Sequence, residues 1–135
     1  MENESNGVMA DSGFCPFCNP DKYGTIIAES DGAFAIYDRY PVNSGHVLII
    51  PKRHCPDYFD LLTIEQTSCW ELVNLVKHVV DEKFRPDGFN IGINNLQAAG
   101  QTIHHVHIHL IPRYHGDVDR PHGGIRGVIP GKKEY

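Results

Sequence analysis

The chain has 135 residues, which is room for one domain of ordinary size and no comfortable second one. Twelve Lys and Arg against seventeen Asp and Glu leave a formal charge of −5, so no net positive field exists to wrap a nucleic-acid backbone. Hydrophobic residues at 41% and charged ones at 21% exclude wholesale disorder. The longest apolar stretch, Val47-Leu48-Ile49-Ile50, falls far short of the roughly 20 residues that span a bilayer. The polar, acidic start lacks the cationic head and apolar core of a secretory signal. The expectation is a soluble cytoplasmic protein with no nucleic-acid or membrane partner.

In chain order, residues 1–13 read as a loose polar leader, followed by Cys15-Pro16-Phe17-Cys18. Residues 25–29 and 33–37 are strand candidates joined by Ser30-Asp31-Gly32, a tight-turn signal that predicts a β-hairpin. Pro41 to Gly45 breaks structure, and residues 46–50 read as a third strand ended by Pro51. Residues 63–84 carry the one convincing helix, with Thr63 and Gln66 as a capping box. Its expected apolar stripe is Ile64, Ser68, Leu72, Leu75, Val76, Val79, Val80 and Phe84. Arg85-Pro86-Asp87-Gly88 stops it, residues 89–94 read as a fourth strand, and 103–111 as a fifth ended by Pro112. Hairpin-like links around one helix predict an α+β fold, a five-stranded, mainly antiparallel sheet with the long helix on one face. The expected organisation is leader 1–13, domain 14–113 and an irregular tail 114–135.

The chemistry concentrates in the fifth strand. There are nine histidines, and His104, His105, His107, His109 and His115 fall within twelve residues. Val106, Ile108 and Leu110 alternate with His105, His107 and His109, a period of two that projects three imidazoles from one face about 7 Å apart. Such a face can hold a metal, or supply a nucleophilic imidazole flanked by groups that bind an anion. The preceding Asn94 to Ile103 segment offers amides, a hydroxyl and Gly100. Those groups suit phosphate oxygens and are poor metal ligands. Cys15 and Cys18 stand at C-x-x-C spacing, open to zinc, to reduced thiols or to redox chemistry. Zinc needs four ligands, and His54 and His105 are the best candidates to complete it.

Gly100-Gln101-Thr102-Ile103, one residue, then His105-Val106-His107-Ile108-His109-Leu110-Ile111-Pro112-Arg113 resembles the signature of the histidine triad superfamily of nucleotide hydrolases and transferases. A second block, Asp38 through Pro41 to Gly45-His46-Val47-Leu48 and on to His54, is similar to that family's other motif. The resemblance spans about residues 14–113, making that segment the histidine triad domain. It implies that His107 is the nucleophile at the α-phosphorus of a nucleotide, with His109 and His46 lining the phosphate site. It further implies that Asn94, Gln101 and Thr102 bind phosphoryl or bridging oxygens and Asp38 the ribose hydroxyls, with Ile36 and Leu48 walling the base pocket. Zinc-bearing branches of the family have a Cys pair, a later histidine and the first triad histidine at matching positions, here Cys15, Cys18, His54 and His105. His105, otherwise part of the catalytic set, would then be a structural ligand. The Gly123-Gly124-Ile125-Arg126 tail resembles dinucleoside polyphosphate hydrolases, whose distal phosphates would meet Arg126, Lys132 and Lys133.

The reading is therefore a hydrolase of diadenosine polyphosphates (a purine nucleotide substrate) that forms a nucleotidyl-histidine and releases AMP. Structural Zn2+, Mg2+ carried with the polyphosphate, and a homodimer built on the apolar helix and Trp70 are part of it. An adenosine phosphoramidase, or a nucleotide-binding protein with negligible turnover, is the alternative.

Overall fold

The computed structural model describes residues 15–135, so the expected leader lies outside the described residues. Five strands, β1 (Ile26–Glu29), β2 (Ala33–Tyr37), β3 (Val47–Pro51), β4 (Gly88–Gly92) and β5 (Ile108–Arg113), form one sheet in the order β1-β2-β3-β5-β4. Every adjacent pair is antiparallel. The first hairpin closes where Gly32 predicts it, with Ser30 N–H donating to the Ala33 carbonyl at 2.8 Å. A short helix α1 (Pro20–Tyr23) precedes it, and the long helix α2 runs Thr63–Phe84 as expected.

Side-chain alternation divides the sheet into two working faces. Ala33, Ala35, Val47, Ile49, Ile108 and Leu110 point towards α2, which answers with Cys69, Leu72, Val73, Val76 and Val80. Each buried aliphatic side chain there contributes roughly 1.5–3 kcal/mol of apolar burial, so this layer holds the domain together. On the other face Phe34, Ile36, Leu48 and Ile50 are covered by Cys15 and Phe17. That face carries the site.

Three local expectations change. The helix buries a stripe rotated from the expected one: Ile64 and Leu75 are exposed while Cys69 and Val73 are buried. Apolar residues on several sides gave the helix more than one possible face, and the sheet selected one. The amino-terminal cap is not Thr63 with Gln66, because Thr63 is already helical. Glu65 instead accepts from Leu62 N–H at 2.7 Å, and Gln66 turns back to donate to the Tyr58 carbonyl. β5 starts at Ile108, not residue 103, and continues through Pro112. The Pro112 carbonyl faces Asn43, beyond the end of the β3 ladder, so its missing N–H costs no strand bond.

The link into β3 is a point of strain control. Gly45 has φ +89, and a Cβ there would lie 2.8 Å from the Phe84 ring. Left-handed backbone costs a non-glycine residue roughly 1–2 kcal/mol before any clash. Gly45→Ala is expected to lower Tm by about 5 °C or more and to disturb the neighbouring His46, measured by calorimetry and by the His46 ring NMR signals.

Candidate active site and metal centre

His107 lies in the irregular segment before β5, fully packed beneath Phe17, whose ring meets it edge-on at a centroid distance of 5.0 Å. Its Nδ1 is 2.8 Å from the His105 carbonyl oxygen. A carbonyl can only accept, so Nδ1 carries the proton and Nε2 keeps its lone pair. Burial pushes the His107 pKa down, which favours that neutral ring.

A second chain of bonds fixes the other two imidazoles. The Val42 N–H donates to His46 Nδ1 at 3.2 Å, so His46 carries its proton on Nε2. That Nε2–H donates to His109 Nδ1 at 3.0 Å, and His109 in turn must present Nε2–H. Asp38 Oδ2 stands 3.5 Å from the same His46 nitrogen. Burial lowers the pKa of both rings, that of His109 to about 4. The result is one acceptor nitrogen on His107 beside one donor nitrogen on His109, ring centroids 5.1 Å apart. This spacing is closer than the 7 Å expected of a regular strand, because His107 is not on one. The same irregularity turns His105 away into the protein.

Beside these rings lies a cavity of about 340 Å³ lined by Asp38, Asn94, Gln101, Thr102, His107 and His109. The structure thus brings together four of the six residues singled out for substrate, beside His107 and His109, with exceptions of detail. Ile36 and Leu48 are buried in the core under Phe17 and do not line it. Gln101 spends its side chain on the protein: Oε1 accepts from Leu96 N–H at 2.6 Å and Nε2 donates to the Pro56 carbonyl at 2.9 Å. That clamp holds Leu96 at φ +72. Arg126 and Lys133 bond to carbonyls within the tail, of Lys132 and Arg120. Sequence reasoning missed Tyr23, Tyr40 and Phe17. Tyr40 N–H donates to Asp38 Oδ1 at 2.8 Å, and its own ring is exposed at the cavity. An aromatic two residues from the acid was the available signal for Tyr40.

His105 is wholly buried, with Nε2 donating to the Pro51 carbonyl at 2.7 Å and Nδ1 facing Cys15 Sγ at 3.4 Å and Cys18 Sγ at 3.6 Å. His54 Nδ1 is 3.2 Å from Cys18 Sγ. A tetrahedral zinc site with bonds of about 2.3 Å to sulfur and 2.0–2.1 Å to nitrogen requires S···N separations near 3.5 Å. All four ligand atoms lie within 4.8 Å of one another, so Cys15, Cys18, His54 and His105 fit a metal ion. Burial pushes the Cys15 thiol up to about 11, so only a cation in the cluster would make its thiolate the stable form. Asp38, His46 and His109 are also close enough to share an ion. The first cluster offers no oxygen ligand and the second a single carboxylate, far from the all-oxygen set that Mg2+ prefers.

A HIT domain model matches residues 19–116. The chain belongs to the HIT family. It is 38% identical over 109 residues to an uncharacterized HIT-like protein of Methanocaldococcus jannaschii, covering 77% of this chain and 80% of that one. It is 42% identical over 88 residues to the bis(5'-adenosyl)-triphosphatase of Dictyostelium discoideum, covering 65% of this chain and 59% of that enzyme, so it spans only part of that relative's length. A Zn-bound histidine triad family protein from Mycobacterium smegmatis superposes with TM-score 0.70 at 33% identity, covering 78% of this HIT chain and 79% of the other. Among the described residues no helix is long and apolar enough to cross a membrane.

The tautomers assigned above are directly observable. Long-range proton–nitrogen NMR is expected to find His46 and His109 as neutral Nε2–H rings at pH 8, with His109 staying neutral down to below pH 5. A folded pKa depressed below the unfolded 6.5 means the unfolded chain binds more protons between pH 6.5 and about 4, so His109 draws stability down as pH falls through that window.

Proposed function

We propose that this HIT protein hydrolyses dinucleoside polyphosphates at the α-phosphate through a covalent nucleotidyl-His107 and releases AMP. The observation that carries the reading is the His107 Nδ1–H to His105 carbonyl bond, which aims an unprotonated Nε2 into the cavity. The bis(5'-adenosyl)-triphosphatase of Dictyostelium supports the substrate class.

In the first step His107 Nε2 forms a bond to the α-phosphorus while the phosphorus–oxygen bond to the polyphosphate breaks, its electron pair leaving on that oxygen. No proton need leave the imidazole. Nδ1–H stays on the His105 carbonyl, and the positive charge of the nucleotidyl-imidazolium is stabilised there. His109 Nε2–H, Thr102 hydroxyl and Asn94 amide donate to the phosphoryl oxygens in this reading, which their position in the cavity lining supports. In the second step water attacks the same phosphorus, the phosphorus–nitrogen bond breaks back to His107, and one proton goes to solvent. Asp38 has lone pairs left for the ribose hydroxyls, and Tyr40 offers a face to the base.

Zinc held by Cys15, Cys18, His54 and His105 belongs to this reading as a structural ion, and the Zn-bound mycobacterial structure supports it. Bound there, it supplies folding stability, with all four positions taken by protein and none open for chemistry. The chain's own residues then do the rest. His105 is held from both ring nitrogens, which keeps its carbonyl under His107. A homodimer formed through the exposed apolar side of the helix, near Trp70, is part of the same proposal.

Incubation with diadenosine tetraphosphate is expected to yield AMP and ATP, and His107→Asn to abolish turnover while AMP still binds. Retention of more than about a hundredth of the parent rate would overturn the nucleophile assignment. Elemental analysis of protein purified without chelator is expected to find about one zinc per chain, with Cys15→Ser lowering Tm by about 5 °C or more. Less than about a tenth of an equivalent removes zinc from the account.

A further inference from the structure

A second cavity, of about 200 Å³, adjoins the first, and Asn94 and His109 line both. Its remaining walls include Val42, His46, Asn90, Ile111 and Ile125. We propose that this cavity receives the base of the departing nucleotide, and that the carboxy-terminal turn Gly124–Val128 forms its outer wall. The inference rests on the dinucleotide reading above and names the subsite that reading leaves open.

Direction is the first argument. In-line displacement sends the leaving group away from the attacking nitrogen. His107 lines the first cavity and not the second, whereas His109 lines both. A polyphosphate leaving past His109 arrives in the second.

The chemistry of the walls is the second. Val42, Ile111 and Ile125 are apolar, and Ile125 is 56% exposed, so a flat ring laid against it removes apolar surface from water. Asn90 Oδ1 accepts from Arg113 Nη1 at 2.6 Å, which orients the amide and leaves Nδ2 as a donor. The Arg113 charge is neutralised by Asp117, whose two oxygens take Nε at 2.8 Å and Nη2 at 2.7 Å. Beyond the edge it shares with the first cavity at Asn94 and His109, an uncharged, largely apolar pocket with one fixed amide donor suits a nucleobase and not another phosphate. Its volume is below the roughly 300 Å³ at which drug-sized pockets begin, so it takes a ring system and leaves the phosphates outside.

The tail is built to stand there. Gly123 has φ +82, and a Cβ at this position would collide with the Lys133 carbonyl. A Cβ on Gly124 would lie 3.2 Å from Asn90 Nδ2, and one on Gly92 would lie 3.9 Å from the Ile125 side chain. Glycines at 123 and 124 therefore let the turn close on β4 with Ile125 in the wall of the cavity.

The test compares two substrates that share the first cavity. Diadenosine tetraphosphate has a second base, and adenosine 5'-phosphoramidate does not. Ile125→Asp is expected to lower the ratio of their kcat/KM values, dinucleotide over phosphoramidate, by about tenfold, with Ile125→Ala moving it less in the same direction. An unchanged ratio in both variants, with Tm values equal to the parent's, overturns the subsite alone. A parent protein that turns over the phosphoramidate but not the dinucleotide also overturns it and leaves His107 as nucleophile. A parent that turns over neither overturns the proposed function, and the subsite with it.

Discussion

The histidine at position 105 joins two sites with one residue. Its ring is held between the Pro51 carbonyl and the thiols of Cys15 and Cys18, while its backbone carbonyl accepts the His107 proton at 2.8 Å. A buried imidazole must have partners on both nitrogens or lose the desolvation cost of the group. With both satisfied, the peptide that follows has little freedom. The tautomer of His107 is thereby set by a main-chain oxygen, which no change of pH can protonate in the working range.

Phe17 extends the same constraint to the amino-terminal segment. It lies between the two cysteines of the candidate metal cluster and packs edge-on against both His107 and His105. The segment that carries both candidate cysteine ligands thus also roofs the His107 ring. Burial by Phe17 covers one side of the ring and lowers its basicity. A metal ion at the cluster would tighten this roof without touching the reacting atoms.

A second network ties the strand-to-helix link to the loop before the triad. Asn95 accepts from Tyr58 N–H and donates to Asp57, and Gln101 spans from Leu96 to Pro56. Leu96 pays for its left-handed backbone through these bonds. Asn94 and Thr102 stand at the two ends of that loop, so their separation across the cavity depends on it. The Asp57 carboxyl is held below its ordinary value by Asn95 first and the Phe59 amide second, which keeps it an acceptor.

Element identity was decided locally. Hairpin turn, helix length and the apolar content of each strand follow from short-range patterns, which is why β2 and α2 fall where periodicity puts them. The C-x-x-C spacing of Cys15 and Cys18 likewise pointed to a metal-ligating set with His54 and His105, and the resemblance to the family's second motif pointed to His46 beside His107 and His109. Directions were another matter. Alternation placed His105, His107 and His109 on one face of a strand, but only His109 belongs to one. His105 turns inwards because the thiols and the Pro51 carbonyl lie there, contacts that are long-range in sequence. Gln101 reads as a phosphate ligand from the sequence, and only the fold shows that its amide also clamps Pro56 and Leu96. Which nitrogen of each imidazole carries its proton is decided by Val42, His105 and their neighbours across the fold. A sequence determines which groups are present and their local periodicity, whereas hydrogen-bond partners at separations of tens of residues exist only once the sheet has formed.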